Sequence, residues 1–543
     1  MLNNYLEIYN LYKTHTMSKY DYIIVGVGTA GAVLVNKLSK HYRVLGLESG
    51  KNYDANPLIR DSAVANSLEA YLWKFFWQGE STVVLNLGQS FHWPGGRLLG
   101  GDSSINGEQY VKGTVDLYRK WEAVAGPRWS PEEVFRAYKE LETFHGIPNP
   151  SHGTHGPISI VQTPAIPTSL NEKVTNALSA SSGIPIIIDY NDPAQALGVF
   201  TRWQLTQRPD TTRESSSTAF LGPTVMDPNG RGLNGHNFRI RFNSTVDKVL
   251  FEGTTATGVK YVQNGTTKYA CAKLGVIMAA GVRSVEILMR SGIGPALGLE
   301  QAGVTPLIVQ PNLGQNLVNQ LLIPAIFTKN PADPTLNNPA ELYAGGAFLP
   351  APGSRLRKYE LLTTGIDDNT FLIGVIDVDP KSRGNEIIQD KDPYTIPEVN
   401  FNYLQDPEDI ASFATAFKTY IKALHNYFQA HPDIYAGYAL VAPSVDIIDN
   451  DEALADYIRT SVVQTHHISS TARMASPELG GVVNSTGHVY GAENLIIADD
   501  CICPFINDGN TQSCAYLIGW VLSEFILEKK RSRCNKCTKC CKC

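Results

Sequence analysis

The stretch Tyr22-Ile23-Ile24-Val25-Gly26-Val27-Gly28-Thr29-Ala30-Gly31 decides the fold. A short β-branched run leads straight into Gly-x-Gly-x-x-Gly, and Ala32-Val33-Leu34-Val35-Asn36-Lys37-Leu38 follows with the character of a helix. Such a run suits a strand buried on both faces, where polar side chains find no room. Tyr42-Arg43-Val44-Leu45-Gly46-Leu47 then reads as a second strand ending in Glu48, completing a βαβ unit. The spacing has a chemical reason. Gly26 permits the tight turn, Gly28 lets backbone N–H groups approach a pyrophosphate, and Gly31 packs helix against strand. Thr29 and Ala30 open the helix, whose N-terminal partial charge favours phosphate. Glu48 stands 20 residues after Gly28, where a carboxylate can accept hydrogen bonds from adenosine ribose hydroxyls. This is a dinucleotide site, and the motif by itself does not choose FAD over NAD.

Composition frames that site. The chain has 543 residues, 43% hydrophobic and 18% charged, which excludes a disordered or collagen-like protein. Length alone allows three or four units of about 150 residues, and the motif positions reduce this to two interleaved domains. The net charge of −6 averages two unlike parts. Residues 529–543 hold seven Lys/Arg and no Asp/Glu, leaving 39 basic against 52 acidic residues and a body at −13. That body argues against nucleic-acid binding outside the basic tail, because phosphate contacts need clustered positive charge. Five of the nine Cys also lie in the tail, at 534, 537, 540, 541 and 543. The other four, Cys271, Cys501, Cys503 and Cys514, are too few and too clustered for a disulfide framework, so a reducing compartment is expected. The first nineteen residues lack the features of a signal peptide and no apolar run reaches about 18 residues, which points to a soluble protein. The Asn-x-Ser/Thr sequons at Asn243, Asn264 and Asn484 then read as chance matches.

Trp93-Pro94-Gly95-Gly96-Arg97-Leu98-Leu99-Gly100-Gly101-Asp102-Ser103-Ser104-Ile105-Asn106 joins paired glycines to hydroxyls and an Asn. Such a loop can lay backbone donors along a diphosphate and carry a side chain toward a ring system. With Tyr110-Val111-Lys112-Gly113, Asp116-Leu117-Tyr118 and Trp121, the run resembles the first signature of the glucose–methanol–choline (GMC) flavin oxidoreductases. The resemblance continues through Arg213 to Leu221, Ser244-Thr245-Val246, Glu286 to Pro295, His467 to Met474, Gly491 to Asp499 and Gly509-Asn510. It spans roughly residues 20 to 527 and implies an α/β (α+β) architecture, an FAD-binding Rossmann-like domain interleaved with a substrate domain of antiparallel sheet plus helices. The expected parts are an N-terminal extension over 1–17, a mainly FAD-binding domain with substrate-domain insertions over 18–324, and a mainly substrate-binding domain over 325–465. An active-site and C-terminal FAD-binding segment over 466–528 and the Cys/Lys-rich tail over 529–543 complete the chain. The substrate domain includes Glu341-Leu342-Tyr343-Ala344 and a strand at Phe371-Leu372-Ile373-Gly374-Val375-Ile376.

FAD is the cofactor that the resemblance implies, held by Gly26, Gly28, Thr29, Ala30, Gly31, Glu48, Gly100, Ser103, Asn106, Val246 and Asp499. His92, just ahead of the first signature, is the nearest candidate for a covalent flavin link, and the expectation is against one. Four departures stand out. Asp102 occupies a small or hydroxyl position, where it must be turned away or paired to avoid repelling a diphosphate. Gly281-Val282-Arg283-Ser284-Val285 is one residue short and lacks a Pro, Asn319-Gln320 replaces a customary Asp-His, and Asn484 replaces a common Asp.

Alcohol oxidation by a flavin needs a base for the hydroxyl proton while the α-hydride moves to flavin N5, and a neutral His suits that task. An extended backbone would send His466 and His467 to opposite faces. The resemblance selects His467 as the base and leaves His466 a supporting position. Asn510 is the second member of the pair, able to donate to the substrate oxygen as charge develops, although Gly509-Asn510 is also turn chemistry. The function implied is an FAD-dependent oxidoreductase, an alcohol oxidase or dehydrogenase, acting on the CH–OH group of a small-molecule alcohol. Two alternatives stay open, a virion structural (fibre) flavoprotein and a hydroxynitrile lyase, which uses the same fold without net redox chemistry. The first follows from the tail, which makes the chain resemble giant-virus members of the family associated with virion surface fibres. That tail reads either as a site of metal binding or self-association through its thiols or as a disordered extension. No metal site is assigned, and Cys501-Ile502-Cys503 reads as buried packing.

Overall fold

A computed structural model of the chain describes residues 19–61, 76–77, 79–337 and 345–540, the last ten as backbone. The N-terminal extension 1–17, Glu341-Leu342-Tyr343-Ala344 and residues 541–543 lie outside the described residues.

The β-branched run becomes the strand Lys19–Val25, central in a seven-stranded sheet. Val44–Leu47 pairs with it in parallel on one side and Thr266–Met278 on the other. Phe238–Arg241 extends the parallel set beyond Val44–Leu47, and Leu495–Ile497 extends it beyond Thr266–Met278. Ile23 and Ile24 are therefore fully buried, each stabilising the fold by about 1.5–3 kcal/mol. Thr266–Met278 serves two neighbours along one edge. Its first half closes an antiparallel meander with Thr255–Gln263 and Ser244–Glu252, and its last three residues pair with Leu495–Ile497. Residues almost five hundred positions apart thus complete one sheet, and the carboxyl ends of its parallel strands gather where ligands bind in open α/β sheets. The helix Thr29–Ser39 covers this sheet, and the C-terminal helix Gln512–Cys540 packs against that helix. That last helix carries the backbone of the tail through Cys540 as regular helix rather than as an irregular extension.

The second seven-stranded sheet is antiparallel and draws its strands from Gly198–Phe200 to Val463–Gln464. The expected strand at 371–376 lies within Thr370–Asp377, paired to Leu321–Lys329 and Arg357–Asp367. Alternation gives the sheet two jobs. Ile323, Ala325, Phe327, Ile373 and Val375 share a core with helices Leu170–Ser182, Lys422–Ala430 and Asp451–Thr460. The cross-strand pair Leu322 and Ile376 belongs to the opposite face, which looks into a cavity. Nearby, Lys112 is buried with Glu142 at 2.7 Å, and His152 bridges Glu142 and Asp189 at 2.8 and 2.9 Å. This charged knot anchors the segment that follows the glycine-rich loop. Asn243 and Asn264 have left-handed backbones (φ 50° and 49°) and Asn484 Oδ1 accepts from Thr486 N–H, so turn chemistry accounts for these asparagines.

Candidate active site

One continuous cavity of about 550 Å³ runs from the carboxyl ends of the parallel strands to the Leu322 face of the antiparallel sheet. Ten of the expected site residues line it: Gly26, Gly28, Thr29, Ala30, Glu48, Asn106, Val246, Asp499, His467 and Asn510. Gly31, Gly100 and Ser103 do not, and each has a packing reason. A Cβ on Gly31 would sit 2.2 Å from Gly26 O. Gly100 turns with φ 87°, and Ser103 Oγ is buried between Gly100 O at 2.6 Å and Ser216 Oγ at 3.2 Å. These three shape the wall from behind.

The dinucleotide end fits its ligand by several independent features. Gly26 has φ 85°, and a Cβ there would lie 2.6 Å from Ala279 O, whereas the nearest atom to a Cβ on Gly28 is 3.6 Å away. A Cβ on Gly28 would make only ordinary contact with Gly101, so packing within the chain demands glycine at Gly26 and not at Gly28. The residue also offers no capping side chain, which leaves the amides of the first helical turn for an anion. Glu48 accepts from Val27 N–H at 3.1 Å and Gly50 N–H at 2.8 Å, and burial pushes its pKa up to about 7. Asp499 accepts from Ser284 Oγ–H at 2.6 Å, Gly281 N–H at 3.1 Å and Cys501 N–H at 3.1 Å, and burial raises its pKa to about 6. That carboxylate ties the ends of two parallel strands together and presents backbone to the cavity. Gln109 Nε2, Asn510 Oδ1 and Gln512 Oε1 are buried wall atoms without a hydrogen-bond partner, as a wall built to receive a polar ligand requires.

The structure resolves the Asp102 departure. It is paired rather than turned away: Asp102 is exposed on the cavity wall, and its Oδ1 accepts from Gly96 N–H at 2.6 Å. Arg213, from the segment Arg213 to Leu221, steadies the same loop, with Nη1 donating to Asn106 O at 2.8 Å and Asn106 Oδ1 at 3.1 Å. The shortened stretch after Gly281 begins the helix Arg283–Arg290 and places Arg283, Glu286 and Arg290 on the wall, charges that sequence reasoning did not pick out. His92 is not on this wall and lines a separate groove with Gly79, Glu80, Ser81 and Thr82.

At the other end, His467 Nδ1 lies 2.6 Å from Gln320 Oε1. Gln320 Nε2 donates to Asn507 O at 2.8 Å and to Val378 O at 3.0 Å, which fixes which end of the amide faces the imidazole. His467 must therefore carry its proton on Nδ1, leaving a lone pair on Nε2. Asn319 Oδ1 accepts the His467 backbone N–H at 2.7 Å. Asn319-Gln320, a departure in sequence, is thus the cradle of the histidine. Nε2 sits 3.4 Å from Asn510 Nδ2, which donates to Gln109 Oε1 at 2.9 Å. Burial, with a smaller contribution from His466, lowers the His467 pKa to about 3 and keeps the ring neutral. One expectation needs correction. His466 also lines the cavity, because its backbone is left-handed (φ 60°) and strict alternation does not apply. Gln320 and Gln109 escaped the sequence reading, and the only signal for Gln320 was the odd Asn-Gln pair.

Comparison with known proteins agrees with this architecture. Residues 20–322 and 380–519 match the N- and C-terminal models of the GMC oxidoreductases. The chain is 30% identical to an alcohol dehydrogenase [acceptor] of Pseudomonas putida, over 94% of this chain and 96% of that protein. It is also 30% identical to the 5-(hydroxymethyl)furfural oxidase of Methylovorus sp. (strain MP688), over 94% and 98%. In structure it is similar to pyridoxine 4-oxidase from Mesorbium loti, with a TM-score of 0.83 at 24% identity over 93% of this chain and 98% of that one. With the glycine fingerprint, the acid that follows it and the histidine cavity all in place, the chain belongs to the GMC oxidoreductases, enzymes that work with FAD.

Proposed function

We propose that the protein oxidises the CH–OH group of a small uncharged alcohol, with His467 accepting the hydroxyl proton and Asn510 binding the same oxygen. The observation that carries this reading is the 3.4 Å pairing of His467 Nε2, bearing a lone pair, with Asn510 Nδ2, bearing N–H, on the wall of the cavity. Bound FAD supplies the two-electron acceptor; Gly28, the first turn of Thr29–Ser39, Glu48, Val246 and Asp499 would hold it. An alcohol oxygen about 2.9 Å from both nitrogens can donate its hydrogen to Nε2 and accept one from Nδ2. Negative charge developing on that oxygen is met by the Asn510 amide and raises the affinity of Nε2 for the proton. Gln320 keeps the other ring nitrogen occupied, so only Nε2 can act as acceptor.

Trp93, Leu322, Leu362 and Ile376 line the cavity and favour an apolar substrate body. A relative named for 5-(hydroxymethyl)furfural supports the same reading. The test is anaerobic mixing of the purified holoprotein with benzylic and furanic alcohols, choline and sugars. Bleaching of the flavin by the ring alcohols is expected. Bleaching by choline alone, or by none of the panel, contradicts the reading.

A further inference from the structure

We propose that Cys503, Cys514 and Asp500 form a site for a thiophilic divalent ion of the zinc class. The sulfurs of Cys503 and Cys514 lie 3.4 Å apart, both cysteines are buried, and a carboxylate oxygen of Asp500 lies within 4.8 Å of both sulfurs. Two buried thiols in contact can be mere packing. Asp500 adds a third donor: its side chain borders both the two sulfurs and the cavity described above, and its Oδ1 has no hydrogen-bond partner. Cys501 belongs elsewhere, its thiol donating to Gly281 O at 3.0 Å.

The geometry suits the ion. Zinc–sulfur bonds of about 2.3 Å and zinc–oxygen bonds of about 2.0 Å in a tetrahedral site put two sulfurs about 3.8 Å apart and sulfur and oxygen about 3.5 Å apart. The observed sulfur–sulfur separation of 3.4 Å and the ligand-atom separations within 4.8 Å bracket those values. Thiolate donors favour zinc or cadmium over magnesium or calcium. Binding replaces the two thiol protons, which leave to solvent, and no electron is transferred. The sulfurs are buried, so the ion enters as the chain folds.

The position gives the site a purpose. Asp500 starts the short helix Asp500–Ile502, and Cys514 lies in the first turn of Gln512–Cys540. The loop between the two cysteines carries Asn507, whose backbone oxygen accepts from Gln320, and Asn510, which faces His467. An ion joining the three ligands would fasten both ends of that loop to the strand end at Asp499.

The test uses the full chain with the five tail cysteines replaced by Ser, expressed with zinc in the medium and purified with its flavin. One zinc per chain is expected by mass spectrometry of the metal. Cys503→Ser and, separately, Cys514→Ser should lower the zinc content about tenfold or more, with flavin absorbance per chain reporting that the fold is kept; Cys271→Ser should leave it unchanged. Cadmium in place of zinc should give the parent a thiolate-to-metal charge-transfer band in the ultraviolet, a readout that stands even if both variants fail to fold. A parent without zinc or cadmium overturns the proposal. So does zinc retained by the Cys503→Ser/Cys514→Ser double variant, or an intact mass short of two hydrogens, which would mean a Cys503–Cys514 disulfide.

Discussion

Replacing Gln320 by Leu removes one acceptor and one double donor from a fully buried position. His467 Nδ1–H loses its partner at 2.6 Å, and the carbonyls of Asn507 and Val378 lose theirs at 2.8 and 3.0 Å. Each of these three buried polar groups left unsatisfied costs about 1–3 kcal/mol, so the variant should be less stable by at least about 3 kcal/mol. The effect on the histidine is separate. A neutral hydrogen bond contributes about 1 kcal/mol net, somewhat more when buried, and that energy now holds the proton on Nδ1. Without it the ring can carry its proton on Nε2 and turn away from Asn510, and flavin reduction by an alcohol should slow about tenfold, or 1.4 kcal/mol. The assay is stopped-flow reduction under anaerobic conditions, beside nitrogen-15 spectra of histidine-labelled protein that report the tautomer. FAD content should stay unchanged, since Gln320 is absent from the cofactor wall. A rate within about twofold of the parent, or a parent spectrum showing Nε2–H, would refute the reasoning.

Three further outcomes follow from other parts of the molecule. Gly31→Ala drives a Cβ to 2.2 Å from Gly26 O, an overpacking that costs about 1–3 kcal/mol; the purified variant should lose FAD on gel filtration, and retained flavin with an unchanged melting temperature would oppose this. Lys112→Met leaves the buried carboxylate of Glu142 without its lysine partner and should destabilise by about 3–5 kcal/mol in urea unfolding, a loss under about 1 kcal/mol being the contrary result. Because the folded pKa of His467 is lowered to about 3 from the usual 6.5, the base stays neutral and competent from about pH 8 down to about pH 5. Its contribution to stability is full above pH 6.5 and declines as the pH falls toward 3, since only the unfolded chain takes up the proton over that window. Measured kcat/KM should show no acid limb near pH 6.5 that His467 could cause, and such a limb would count against the assignment.

The parts legible in the sequence were those imposed by local backbone demands. Gly26, Gly28 and Glu48 announce their strand ends because the turn, the uncapped helix start and the buried acid all lie within one βαβ unit. The strand at Thr370–Asp377 was readable from its continuous apolar run for the same reason. Pairings across long separations were not. Gln320 reaches His467 across 147 positions; the odd Asn319-Gln320 pair marks the position in sequence but not the partner it contacts. Alternation failed at His466 because a single left-handed residue breaks the period of two. Gly31 and Ser103 shape the cavity without touching its space, a distinction between packing and contact that a motif does not encode. Cys514 meets Cys503 only through the fold, which is why Cys503, read with Cys501 as packing in sequence, lies beside a different thiol in space.

The account rests on His467 as the proton acceptor, and single-turnover reduction of the bound flavin by an alcohol in parent and His467→Ala tests it most directly. General base catalysis contributes about 10²–10⁴-fold. The variant should therefore keep its full complement of FAD and reduce it slower by at least two orders of magnitude. A His467→Ala protein that binds FAD and is reduced at the parent rate would contradict the assignment.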